Sequence, residues 1–105
     1  MNKILIFACC ASTSFASASL AAEPPLDAEA LEHFVRHDCG SCHGMTLKGG
    51  LGPDIRAEAL QKYDPETLGL VIKDGIPGTA MPPWQPLLTE AEIDWVVDYL
   101  LAGDE

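Results

Sequence analysis

The sequence predicts an all-α domain, on three observations. Apolar residues recur at helical offsets in two segments, Leu68 to Ile72 and Ile93 to Leu101; each segment closes on a glycine; and no apolar/polar alternation runs long enough for a sheet. Glycine and proline crowd the intervening stretches, so three to four helices joined by loops are expected. No internal repeat divides the chain.

Each element has its own local cause. Pro24-Pro25 makes an extended lead-in, and Asp27 is placed to cap a helix through Leu31, Phe34 and Val35 to about Asp38. Gly44, Gly49, Gly50, Gly52 and Pro53 then force a loop. A middle helix starts near Asp64 or Pro65, since proline suits a first turn, and ends at Asp74-Gly75 with Leu68, Val71 and Ile72 as its buried stripe. In the last helix Thr89 and Glu92 form a capping box, Ile93, Val96, Val97, Leu100 and Leu101 share one face, and Gly103 closes it. That face is expected to pack on the first helix. Trp95 and Tyr99 sit four apart on a neighbouring face, where core or rim packing is the expected role.

Residues 1–21 read as a secretory signal, with Lys3 at a basic start, an apolar stretch from Ile4 through Ala11, and small residues Ser19 and Ala21 for the peptidase. Ser12, Thr13 and Ser14 break the apolar run, which is too short for a membrane span. Cys9 and Cys10 fall in this leader and drop out of the cysteine arithmetic; a lipid anchor on Cys9 would leave hardly any apolar run ahead of it. The expectation is therefore a domain over residues 22–105, located in the periplasm.

Sixteen Asp and Glu face six Lys and Arg, for a formal net charge of −10, and every acid lies beyond residue 21. Nucleic acid and anionic lipid are poor partners for such a surface. The acids keep a small exported domain soluble, and some of them can steer it onto a basic patch of a redox partner.

Cys39-Gly40-Ser41-Cys42-His43 carries the chemistry. Two cysteines two residues apart, with histidine directly after, match a covalent haem c site: each thiol adds to one haem vinyl group, and the imidazole reaches the iron from the same face. A thioredoxin-like pair wants a βαβ surround, a zinc site needs a second knuckle that no cysteine after Cys42 supplies, and a Cys39–Cys42 disulfide closes an awkwardly small ring. Haem also answers a size problem, because a domain of residues 22–105 buries little surface by itself. The haem-free chain is accordingly expected to fold poorly.

The iron has a second face, and its ligand separates carrier from sensor or catalyst. Met81 lies in Gly78-Thr79-Ala80-Met81-Pro82-Pro83-Trp84, far enough along the chain to cross to that face, with prolines to stiffen the loop. Its soft thioether favours ferrous iron and raises the potential; the duller role is gap-filling. Met45 is too close to His43 to reach the far side, and His33 and His37 on the first helix are fallbacks expected to be exposed. Pro53 is a candidate to accept a hydrogen bond from Nδ1 of His43, though a plain turn proline reads the same. The role of Trp84, touching haem or packing the loop, is open.

In this order of parts the chain resembles class I c-type cytochromes, which implies a small monohaem fold with helices and loops wrapped round one covalent haem. More narrowly it is similar to the cytochrome c55x family associated with cytochrome cd1 nitrite reductase, on Asp38 to Gly44, Gly49-Gly50-Leu51-Gly52-Pro53 and Gly75-Ile76-Pro77-Gly78-Thr79-Ala80-Met81-Pro82-Pro83-Trp84. The resemblance implies a one-electron carrier, donating to the nitrite reductase in denitrification or serving haem d1 assembly; a monomer without a reaction of its own is expected. A haem sensor or peroxidase-like enzyme is the rival class, and it needs a labile sixth site that the Met81 loop argues against.

Overall fold

The computed structural model describes residues 8–17 and 24–103. Residues 8–17, which include the exposed and unbridged Cys9 and Cys10, form no helix or strand. Lys3, Ser19 and Ala21 of the expected leader, and its junction with the domain, lie outside the described residues. Among the described residues there is no strand, and no helix is long and apolar enough to cross a membrane.

Helix α1 (Ala28–Phe34) starts where the Asp27 carboxylate accepts from the Ala30 amide at 3.0 Å. It runs without a break into a π-helical turn (Val35–Cys39) and then α2 (Gly40–His43). The haem motif is thus itself helical, whereas the sequence suggested an end near Asp38. The physical reason is that no residue between Asp38 and His43 stops a helix; the first that does is Gly44, at φ +89°. The wide turn is relieved in part by the Ser41 hydroxyl, which donates to the Asp38 carbonyl at 2.8 Å.

Helix α3 (Ala57–Leu60) is a single turn absent from the sequence expectation; it buries Leu60. Helix α4 (Pro65–Asp74) has Asp64 as its N-cap, accepting from Thr67 N at 2.8 Å, and Gly75 as its C-cap. Helix α5 (Glu90–Ala102) carries the full Thr89/Glu92 capping box. Together α4 and α5 match their expected limits, because caps act within one turn and need no distant partner.

The core gathers Leu31 and Val35 from the first helical run, Leu47 and Leu60 from the connection, Leu88, and Ile93, Val96 and Leu100 from α5. Helix α5 therefore packs on α1 and also on α3 and α4. Each fully buried aliphatic side chain contributes about 1.5–3 kcal/mol, and α5 supplies four, counting Val97 at 2 % exposure. The expected α4 stripe behaves differently: Leu68, Val71 and Ile72 are only half-buried. Leu101 is likewise half-buried, at the margin of the α5 stripe.

Candidate haem site

His43 ends α2, and the loop that follows folds back onto it. Gly49 N donates to the His43 carbonyl at 2.8 Å and Gly52 N to the Cys42 carbonyl at 2.8 Å, so two carbonyls left over at the helix end are satisfied by the loop. The return path brings the Pro53 carbonyl to 2.7 Å from His43 Nδ1. A carbonyl only accepts, so Nδ1 carries the proton and Nε2 keeps its lone pair for a metal. Gly52 permits the approach: a Cβ there would stand 2.8 Å from imidazole Nδ1 and Cε1.

Beyond Pro53 the loop is pinned by its own charges. The Asp54 carboxylate accepts from Arg56 N at 2.9 Å and from its guanidinium at 2.7 Å, which holds the carboxyl below its ordinary range. Ile55 N donates to the Leu47 carbonyl at 3.0 Å, closing the loop around Leu47, a buried non-glycine residue at φ +60°. Burial of Leu47 keeps this conformation in place against its local cost.

Cys39 and Cys42 are unbridged, half-buried and one turn apart on the same helical run. Burial, with the Asp38 carboxylate beside it, pushes the Cys39 thiol up to about 11. A neutral, half-buried sulfur suits a thioether. Among the described residues no group of three or more His, Cys, Asp or Glu could hold a metal ion, which argues against the zinc reading. The thiol pair and the His43 imidazole with its free Nε2 together fit one covalently attached haem c.

Met81 is half-buried in the strap after α4. Its carbonyl accepts from Ile76 N at 3.2 Å, and its amide donates to Thr79 Oγ1 at 3.3 Å while that hydroxyl bonds the Ile76 carbonyl at 2.7 Å. Gly75, at φ +67°, lies against the returning half of the strap; a Cβ there would meet the Met81 carbonyl at 2.7 Å. The strap's far end is tied by Trp84 N to the Ile72 carbonyl at 3.0 Å. The Trp84 ring meets Phe34 edge-on at a centroid distance of 5.1 Å, so this tryptophan links the strap to the helix that leads into the haem motif. Sequence reasoning left Trp84 open and did not single out Phe34 for this contact; an aromatic just ahead of the motif was the available signal.

The remaining candidates fall elsewhere. Met45 is 59 % exposed beside Gly40, and His33 and His37 are exposed on the first helical run with their ring centroids 4.1 Å apart. Trp95 and Tyr99 stack at 5.0 Å on α5, and Arg36 donates to the Tyr99 hydroxyl at 3.3 Å. These contacts fit the packing role expected of that pair.

Residues 26–100 match the family described as cytochrome c oxidase, cbb3-type, subunit III. The chain is 61 % identical over 71 residues to cytochrome c55X of Paracoccus denitrificans (strain Pd 1222), covering 68 % of this chain and 69 % of that protein. Its fold is similar to the solved structure of c-type cytochrome NirC, with a TM-score of 0.70 and 44 % identity over 73 % of this chain and 94 % of that one. It also resembles a small part of dihydro-heme d1 dehydrogenase NirN in complex with DHE, with a TM-score of 0.65 and 34 % identity over 70 % of this chain and 16 % of that one.

Proposed function

The chain belongs to the c-type cytochromes, in the cytochrome c55X family, and from that premise we propose that it carries single electrons in the periplasm and that His43 and Met81 would hold its haem iron. Bound haem supplies reversible one-electron chemistry at iron. The chain's own residues do the rest. Cys39 and Cys42 anchor the group, and the Pro53 carbonyl, 2.7 Å from Nδ1, orients the His43 imidazole and strengthens Nε2 as a donor. Met81, on a strap closed by its own backbone bonds, offers the soft sulfur that raises the potential. No bond-making reaction is assigned to the protein.

The observation that carries this reading is the hydrogen bond from His43 Nδ1 to Pro53, inside a loop whose amides also satisfy Cys42 and His43. The test is Met81→Ala in haem-loaded protein. A low-spin six-coordinate spectrum that becomes one binding carbon monoxide readily is the expected result; an unchanged spectrum removes Met81 as ligand. Wild-type protein that already binds carbon monoxide readily would favour the sensor class.

As electron acceptor we propose cytochrome cd1 nitrite reductase, in denitrification, with the acidic monomer steered onto a basic patch. Stopped-flow transfer should be fast and should slow as salt is added; rates indifferent to salt and no faster than a neutral cytochrome's count against it. The likeness to dihydro-heme d1 dehydrogenase NirN supports a second reading, service in haem d1 assembly. Faster electron exchange with that dehydrogenase than with cytochrome cd1 would select it.

A further inference from the structure

His33 and His37 have no part in the haem site. Both are exposed and one turn apart, and their rings lie 4.1 Å apart between centroids at an interplanar angle of 35°. Two exposed imidazoles gain little from facing one another in water, yet this spacing suits chelation. Zinc–imidazole bonds of about 2.0–2.1 Å place two ligating nitrogens roughly 3 Å apart around one ion, which rings at this separation can meet through their edges. Asp27, Glu29 and Ala30 form an open hollow beside His33, so carboxylates border the pair on its N-terminal side. The wide turn that begins at Val35 leaves the row intact, as the ring distance shows.

We propose that His33 and His37 form a surface clamp for a borderline transition-metal dication, of which Zn(II), Ni(II) and Cu(II) are the chemically suited examples. The site has two protein nitrogens and completes its shell with water, in keeping with the absence of a three-ligand cluster among the described residues. The chain's net charge of −10 raises the concentration of any dication near it, while the two imidazoles select nitrogen-seeking ions over oxygen-seeking ones. The clamp sits on the helical run that leads into Cys39, so a bound ion lies on the same element as the haem motif.

The test is calorimetric titration of oxidised, haem-loaded protein, its leader removed, with Zn(II), which is redox-inert. One ion per chain is expected. His33→Gln and His37→Gln should each weaken binding by at least about tenfold, a loss that even partners of metal ligands produce, with the haem spectrum and helical circular dichroism unchanged. Mn(II) should bind far more weakly than Zn(II). No binding, binding that survives either substitution, or equal affinity for Mn(II) would overturn the clamp, the last two pointing to carboxylates alone. A second measurement needs no variant: Cu(II) added to the oxidised protein should show electron paramagnetic resonance couplings from two imidazole nitrogens, and an all-oxygen spectrum refutes the site.

Discussion

The loop after His43 and the strap around Met81 hold their side chains by different means. The loop bonds straight back to the helix it leaves: Gly49 to His43, Gly52 to Cys42, and Pro53 to the imidazole, each at 2.7–2.8 Å. The strap's amide bonds are longer and mostly internal, at 3.1–3.3 Å from Ile76 to Met81, Thr79 to Ile76 and Met81 to Thr79. Its one short bond, the Thr79 hydroxyl to the Ile76 carbonyl at 2.7 Å, is internal too, its far end is held to α4 by Trp84 N on Ile72 at 3.0 Å, and it meets the first helix through Trp84 on Phe34. Short backbone bonds to a helix end define a position tightly, whereas a loop bonded mainly to itself can move as a unit. The loop after His43 is therefore the more fixed of the two segments, and under the proposed ligation the Met81 strap is the one that opens first.

Glycine substitutions test that contrast most severely. In Gly52→Ala the new Cβ meets the imidazole at 2.8 Å, so the ring must leave Pro53; overpacking of this kind costs about 1–3 kcal/mol, and covalent haem yield should fall. Gly75→Ala combines a contact of 2.7 Å on the Met81 carbonyl with the strain of φ +67°. It should leave haem attachment intact while making the ferrous protein bind carbon monoxide. Haem content by absorption and carbon monoxide titration of both variants decide the matter; equal loss of haem in the two would erase the distinction.

The aromatic tie is the next lever. A double-mutant cycle on Phe34→Leu and Trp84→Leu should give a coupling of about 0.5–1.5 kcal/mol in thermal or denaturant unfolding. Both single variants should loosen Met81, read as easier displacement by an added ligand, with His43 unaffected. A coupling near zero would leave the strap held by its backbone alone.

The smallest expected effect is on acid stability. Asp54, beside the loop, is lowered chiefly by the Arg56 side chain, and Asp64, at the start of α4, by the Thr67 amide. A carboxyl lowered on folding stabilises above its unfolded pKa of about 3.9, and that contribution is lost as pH falls through the folded value. Asp64→Asn keeps the cap but cannot titrate, so its unfolding midpoint should depend less on pH below about 4 than the wild type's. Asp54→Asn should do the same near the loop. Asp64 is exposed and Asp54 only half-buried, so the shifts should be modest.

What the sequence made legible was what depends on near neighbours. The limits of α4 and α5 followed from Asp64, Pro65, Gly75, Thr89, Glu92 and Gly103, whose effects reach about one turn, and the haem motif followed from the spacing of Cys39, Cys42 and His43. Pro53 was legible as a candidate acceptor, but a turn proline has the same local signature; only the folded loop sets its carbonyl 2.7 Å from the ring. Tertiary structure alone decided that Gly52 lies against the imidazole, that Trp84 meets Phe34, and that the α4 stripe is half-buried while that of α5 is covered except at Leu101. Each of these depends on where a distant segment returns, and that is set by shared burial in the one core that α1, α3, α4 and α5 build together, which no local window of residues contains.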